Sequence, residues 1–210
     1  SFKMEFNNGV NGYSAKLKSG ADGFVFIEEN LIYKGRDRNI NISGSEAYIN
    51  YTDNYRAPYV KRYFEGLRKY HFHDTSINSP FSLYSNILND IYYLYDSGMN
   101  ISAYLYEINQ TNKIVYNIIV KNIQSVAPYF SDFFFAPNNN NDIRLQWKDK
   151  YSDVVYGAND LSDGTLRFIA LSVLFLQPKL PDTIIIDEPE LGLHPPAITK
   201  LAAMIKSVAN

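Results

Sequence analysis

Two stretches combine residue types and spacing that could do chemistry. Thr183-Ile184-Ile185-Ile186 is a β-branched run ending in two adjacent carboxylates, Asp187 and Glu188, before Pro189 breaks it. Such a run reads as a buried strand. A desolvated carboxylate is costly without a cation or hydrogen-bond donors. Two acids at a strand tip therefore point to a bound metal and a base: Asp187 holding Mg²⁺ directly or through water, and Glu188 orienting or deprotonating a water. The competing explanation is a surface acid pair that simply follows a strand.

The second stretch lies upstream. Asp160 to Arg167 read DLSDGTLR. Ser162 is a good N-cap, and Gly164 lets the backbone come close to a ligand. Thr165 to Leu176 is almost wholly apolar, so it reads as a helix buried on most sides. The start of such a helix offers free N–H groups and partial positive charge, which suits an anion. Pro178 and Pro181 stop the helix, and the chain turns directly into the acidic strand. The pattern thus sets an anion-facing helix tip before a cation-facing strand tip.

With these residues in view, the sequence resembles a family. Leu161–Thr165 (LSDGT) is similar to the ABC-type signature motif, with Asp163 where glycine is more usual. Ile184–Pro195 (IIIDEPELGLHP) resembles the Walker B strand and D-loop of the RecF/SMC-like branch of ABC ATPases. Tyr70–Ser76 (YHFHDTS) and Asp160–Phe168 (DLSDGTLRF) are similar to bacterial RecF-like AAA-family ATPases. The resemblance implies an α/β P-loop NTPase head of ABC type: an antiparallel β lobe, a helical lobe and part of a parallel core sheet. It implies ATP and Mg²⁺ as ligands, with Asp187 on the metal and Glu188 as catalytic base. It assigns Ser162, Asp163, Gly164 and Thr165 at the helix tip, with His194 in the D-loop, to nucleotide contact. In such sandwiches Ser162 and Gly164 would meet the γ-phosphate of ATP held by a second head, so a homodimer of heads is the implied partner. DNA or a partner effector is possible beyond that, as in DNA repair or phage defence. The alternative is a nucleotide-gated dimerisation module that controls an effector with little turnover.

One part of the family pattern is absent. The sequence contains no GxxxxGK[ST], the loop that wraps the β- and γ-phosphates. Lys18-Ser19-Gly20 is a turn with the wrong spacing. The expectation is an internal piece of a longer ATPase, inactive alone. The expected layout is residues 1–80 as a β lobe with a short helix, 81–130 as a helical lobe, and 131–210 as a hairpin, signature helix, Walker B strand and D-loop.

Composition narrows the remaining classes. A net charge of −2 writes in no strong pull toward nucleic acid or anionic membrane. The absence of cysteine removes disulfide frameworks and thiolate zinc sites, and is compatible with a cytoplasmic protein. No apolar run approaches the ~18 residues of a membrane span. Eighteen tyrosines and thirteen phenylalanines read as compositional bias rather than a stacking function.

The elements that must position the two stretches follow from periodicity. Short alternating runs with Asn-Gly and Gly-rich breaks in the first fifty residues predict an antiparallel meander, with a further strand over Glu46–Tyr51 after a polar loop. Pro58–Lys69 reads as helical and Tyr70–Asp74 as a short strand with His71 and His73 on one side. Helices are expected over Leu83–Ser97, Ile101–Asn109 and Lys113–Val126, with Gly98 as a C′ residue. Phe133–Phe135 and Ile143–Trp147 predict a hairpin around Asn138–Asn141, and a strand near Val154–Tyr156 leads into the signature loop. His71 and His73 lack the further ligands a metal centre needs. Asp74, Thr75 and Ser76 are weak candidates for Mg²⁺ or the attacking water. Lys61, Arg62, Arg68 and Lys69 read as a solvated face, and Arg167 as a structural residue steadying the signature loop through an acid such as Asp163.

Overall fold

The structure is a computed structural model that describes residues 1–21, 23–40 and 43–209. These form two compact units, Ser1–Leu67 and Arg68–Asn210.

The first unit is built on an antiparallel sheet of β1 (Phe2–Phe6), β2 (Asn11–Gly20), β3 (Gly23–Tyr33) and β4 (Arg36–Asn39), in that order. The meander expected from period-two alternation is therefore present. Tyr13, Ala15 and Leu31 point inward and meet Ile49 and, from α1 (Ala57–Glu65), Ala57 and Val60. Glu29 is fully buried among them, and its carboxylate accepts from the Tyr13 hydroxyl and, at 2.8 Å, from the Tyr48 N–H. That bond helps explain a correction: Glu46–Tyr51 is not a strand, because Tyr48–Asn50 tighten into a 3₁₀ turn drawn onto Glu29. The expected helix over Pro58–Lys69 ends earlier, at Glu65, where Gly66 caps it.

The second unit is mainly helical. α2 (Ile101–Thr111), α3 (Lys113–Gln124), α4 (Asp163–Leu176) and α5 (Pro195–Val208) pack successively, with α4 in contact with the other three. Ten of the fourteen α4 residues are buried, as its all-round apolar sequence predicts. The strands around the helices are short. β5 (Leu67–Tyr70) pairs with β11 (Thr183–Ile186), and β6 (Ser85–Asn86) with β8 (Asp142–Ile143). β7 (Phe130–Phe133) and β10 (Val155–Gly157) flank β9 (Gln146–Asp149), where Trp147 stacks on Phe130 and Tyr156. The predicted hairpin thus exists, shifted so that Phe130 and Phe133 oppose Asp149 and Trp147. Helices and mixed sheets make the class α/β.

Two expectations in this unit fail for physical reasons. Leu83–Ser97 is not a helix. Its polar residues bond backbone groups instead: the Asp90 carboxylate accepts from Asn86 N–H at 2.7 Å, while Asn100, fully buried, accepts from Tyr95 N–H and donates to the carbonyls of Asp90 and Tyr93. Side-chain bonds of this kind compete with a helix. Gly98 nevertheless has the left-handed φ of 75° expected of it. The strand expected over Tyr70–Asp74 lies three residues earlier, as β5, because the carbonyls of Phe72 and His73 are taken by Arg167.

Candidate functional site

The start of α4 is set by its own side chains. Ser162 has extended backbone angles, and its Oγ accepts from Thr165 N–H at 3.2 Å. Ser162 Oγ also lies 2.9 Å from Thr165 Oγ1, which in turn lies 3.3 Å from the Tyr129 hydroxyl. Thr165 is buried, so its hydroxyl braces the cap from inside. Ser162 and Asp163 are exposed at the tip. The N–H groups of Asp163 and Gly164 stand in the first turn, where a helix supplies no acceptor of its own. Asp163 places a carboxylate against that partial positive charge.

The strand side is more open than a desolvated carboxylate pair requires. β11 is only partly covered, with Ile185 40% exposed, and both Asp187 and Glu188 face solvent. Burial is thus not what makes the acid doublet unusual. Its backbone is: Glu188 has φ 42°, in the left-handed region that costs a non-glycine residue roughly 1–2 kcal/mol. The turn that follows is tight. Leu191 N–H donates to Glu188 O at 3.1 Å and Leu193 N–H to Glu190 O at 3.0 Å, with Gly192 at φ 74°. Leu193 is buried and anchors the turn, and exposed His194 occupies the N-cap position of α5 without a side-chain cap bond.

The two stretches meet through backbone. A Cβ on Gly164 would stand 2.3 Å from the Gly192 carbonyl oxygen, so the helix tip and the turn pack as closely as glycine permits. The group packed against the Cα side of Gly164 is the chain's own turn. One turn along, Arg167 ties three segments together. Its Nε donates to Phe72 O at 3.1 Å, and its two terminal nitrogens donate to His73 O at 2.7 Å and Leu191 O at 2.9 Å. Arg167 is structural, as expected, but its partners are carbonyls rather than Asp163. Sequence patterning gave no sign of them, since a carbonyl acceptor has no residue signature. Ser162, Gly164, Arg167 and the 187–194 turn are therefore one assembly; the carboxylates of Asp187 and Glu188 take no hydrogen bond or ion pair from the described residues.

That arrangement bears on the cation. Among the described residues, no group of three or more His, Cys, Asp or Glu is placed to hold a metal ion, around His71 and His73 or elsewhere. Asp74 is occupied locally: its carboxylate accepts from Ser76 N–H at 3.0 Å, and the hydrogen bonds from Ser76 hold its pKa below the usual carboxylate value. Mg²⁺ commonly takes one or two protein carboxylates and fills its shell with water and substrate phosphates. The exposed carboxylates of Asp187 and Glu188 are oxygen donors of the kind that mode uses.

No curated protein matches the chain. No helix among the described residues is long and apolar enough to cross a membrane. Residues 33–210 match the family described as AAA domain, putative AbiEii toxin, Type IV TA system. This match spans most of the chain, including α4, β11 and the turn between Asp187 and His194, and such AAA domains are nucleotide-binding, ATPase-like units. The chain belongs to this AAA-domain family, whose fold is that of the P-loop NTPases.

Proposed function

We propose that this chain supplies the signature-helix and acidic-strand half of a RecF-like, ABC-type ATP hydrolysis site in a cytoplasmic protein. The observation that carries the reading is the close junction of α4 and the 187–194 turn, where Gly164 leaves no room for a Cβ beside the Gly192 carbonyl and Arg167 bonds the Leu191 carbonyl as well as those of Phe72 and His73. It couples the residues facing a terminal phosphate to those that handle the metal and the water. Asp187 holds Mg²⁺, which neutralises developing charge on the phosphates when bound. Glu188 orients the attacking water and accepts its proton. The left-handed φ of Glu188 sets the backbone from which that carboxylate extends.

In this reading the exposed tip, with Ser162 and the amides of Asp163 and Gly164, faces the γ-phosphate of ATP held by a second head. Thr165 holds the cap and His194 crosses the dimer face. These 210 residues hold no GxxxxGK[ST] loop for the β- and γ-phosphates. ATP closes the two heads, hydrolysis opens them, and the motion is passed to DNA or to an effector.

Sedimentation of the complete ATPase with and without ATP and Mg²⁺ tests the reading. ATP should shift it toward dimer, and Ser162→Arg, which puts a long side chain on the tip, should abolish the shift. Equal dimerisation of parent and variant would remove the tip from the interface.

A further inference from the structure

The first unit carries a cluster that the nucleotide site does not use. Tyr33 ends β3, and Arg56 and Tyr59 sit at the start of α1, with Tyr55 just before it. With Asn11 they line a cavity of about 330 Å³, at the lower end of the range for small-ligand pockets. The Arg56 guanidinium lies 4.9 Å from the Tyr33 ring centre and 5.3 Å from that of Tyr55, and its Nε donates to the Tyr55 hydroxyl at 3.1 Å. No ion pair among the described residues involves Arg56. A half-buried cation on tyrosine faces without a carboxylate still has donors to offer an anion.

The surroundings add charge. Tyr33 pairs across the sheet with Asn11 on one side and Arg36 on the other, so the three share a face. The two-residue turn between β3 and β4 is Lys34-Gly35, both left-handed (φ 48° and 71°), and Lys34 lies 5.5 Å from the Tyr33 ring centre. Asparagine is the favoured residue at the first position of such a turn; here lysine occupies it at some conformational cost. Residues 33–62 hold six Lys and Arg against three Asp and Glu, a net +3 in a chain of net −2. Tyr55 and Tyr59 remain 66% and 62% exposed, which a purely structural aromatic cluster would not require.

From this juxtaposition we propose that the Tyr33–Tyr55–Tyr59 cluster stacks a base of single-stranded nucleic acid, while Arg56, Lys34 and Arg36 take the adjoining phosphates. The chemistry is base-on-ring stacking beside an electrostatic track, which tolerates sequence and needs an unpaired strand. Duplex DNA hides its base faces and would lose the stacking contribution.

Fluorescence anisotropy on the purified protein, with a labelled oligo(dT) of about 12 nucleotides, tests this. Tyr55→Ala and Tyr59→Ala, both at exposed positions, should each weaken binding about tenfold. Arg56→Gln should weaken it and lower the slope of log affinity against log salt by about one. Tyr151→Ala, at an 85% exposed tyrosine of the other unit, should change nothing. Circular dichroism of each variant checks folding. The proposal is overturned if the Tyr55 and Tyr59 variants bind like the parent. It is equally overturned if a duplex of the same length binds as tightly, or if free dTMP displaces the strand at the strand's own concentration.

Discussion

Replacing Arg167 by alanine removes three N–H donors at once and leaves the carbonyls of Phe72, His73 and Leu191 without their partner. A hydrogen bond from a charged donor contributes about 1.5–3 kcal/mol when shielded. The bonds to Phe72 and His73 are part-buried and count near the lower figure, whereas the exposed bond to Leu191 is screened and adds little. The sum is a destabilisation of about 3 kcal/mol, a large share of a domain's stability. Trp147, the only tryptophan and 4% exposed in the same unit, reports unfolding in denaturant by its fluorescence. Lysine at 167 keeps the charge but not the planar fork, and should recover less than half of the loss. Hydrogen exchange gives the local counterpart: amides over 71–76 and 188–193 should lose protection in Arg167→Ala well before the α2 and α3 amides do. A stability change under about 0.5 kcal/mol, with exchange unaltered, would refute the idea that this side chain joins the three segments.

Two further predictions rest on the same unit. Gly164→Ala must push the Gly192 carbonyl from 2.3 Å to beyond the 3.0 Å floor for real Cβ contacts; it should destabilise by about 1–3 kcal/mol and cut turnover of the complete ATPase at least about tenfold. Gly157→Ala, whose Cβ would find nothing nearer than 3.7 Å, is the control and should change neither quantity. At alkaline pH, burial pushes Tyr104 up to about 12, and the hydrogen bond to Asp90 pushes Tyr95 up to about 12, against an ordinary 10.0. Both raised values mean that the folded state holds its protons more tightly. The stability they contribute is intact below pH 10 and is lost as pH climbs from 10 toward 12; tyrosinate absorbance followed alongside denaturant midpoints should show late-titrating tyrosines and falling stability in that window. Midpoints that stay level across it would contradict the assignment.

The parts legible in the sequence are those set by local patterning. The cap at Ser162, the buried α4 and the glycine-punctuated meander of β1–β4 need only periodicity and side-chain chemistry within a few residues. Leu83–Ser97 misled because its apolar stripe at Ile87, Ile91 and Leu94 has helical spacing, while a buried asparagine from outside the segment, Asn100, decides its backbone. Glu46–Tyr51 failed similarly, through a carboxylate on β3. At the site, the residue types were readable but their junction was not. Nothing local announces that Gly192 would press on Gly164, or that Arg167 would reach carbonyls 94 and 95 residues away in sequence. Asp187 and Glu188 are exposed, whereas the β-branched run before them predicts a covered strand tip.

The measurement that bears most directly on the account is phosphate release by the complete ATPase carrying Glu188→Gln. Glutamine keeps the size and the turn at that position but cannot accept the proton of the attacking water. The account predicts that ATP still binds and accumulates in a closed dimer while phosphate release is abolished. Release at the parent's rate would show that the carboxylate of Glu188 is not the base and would leave it without a catalytic role.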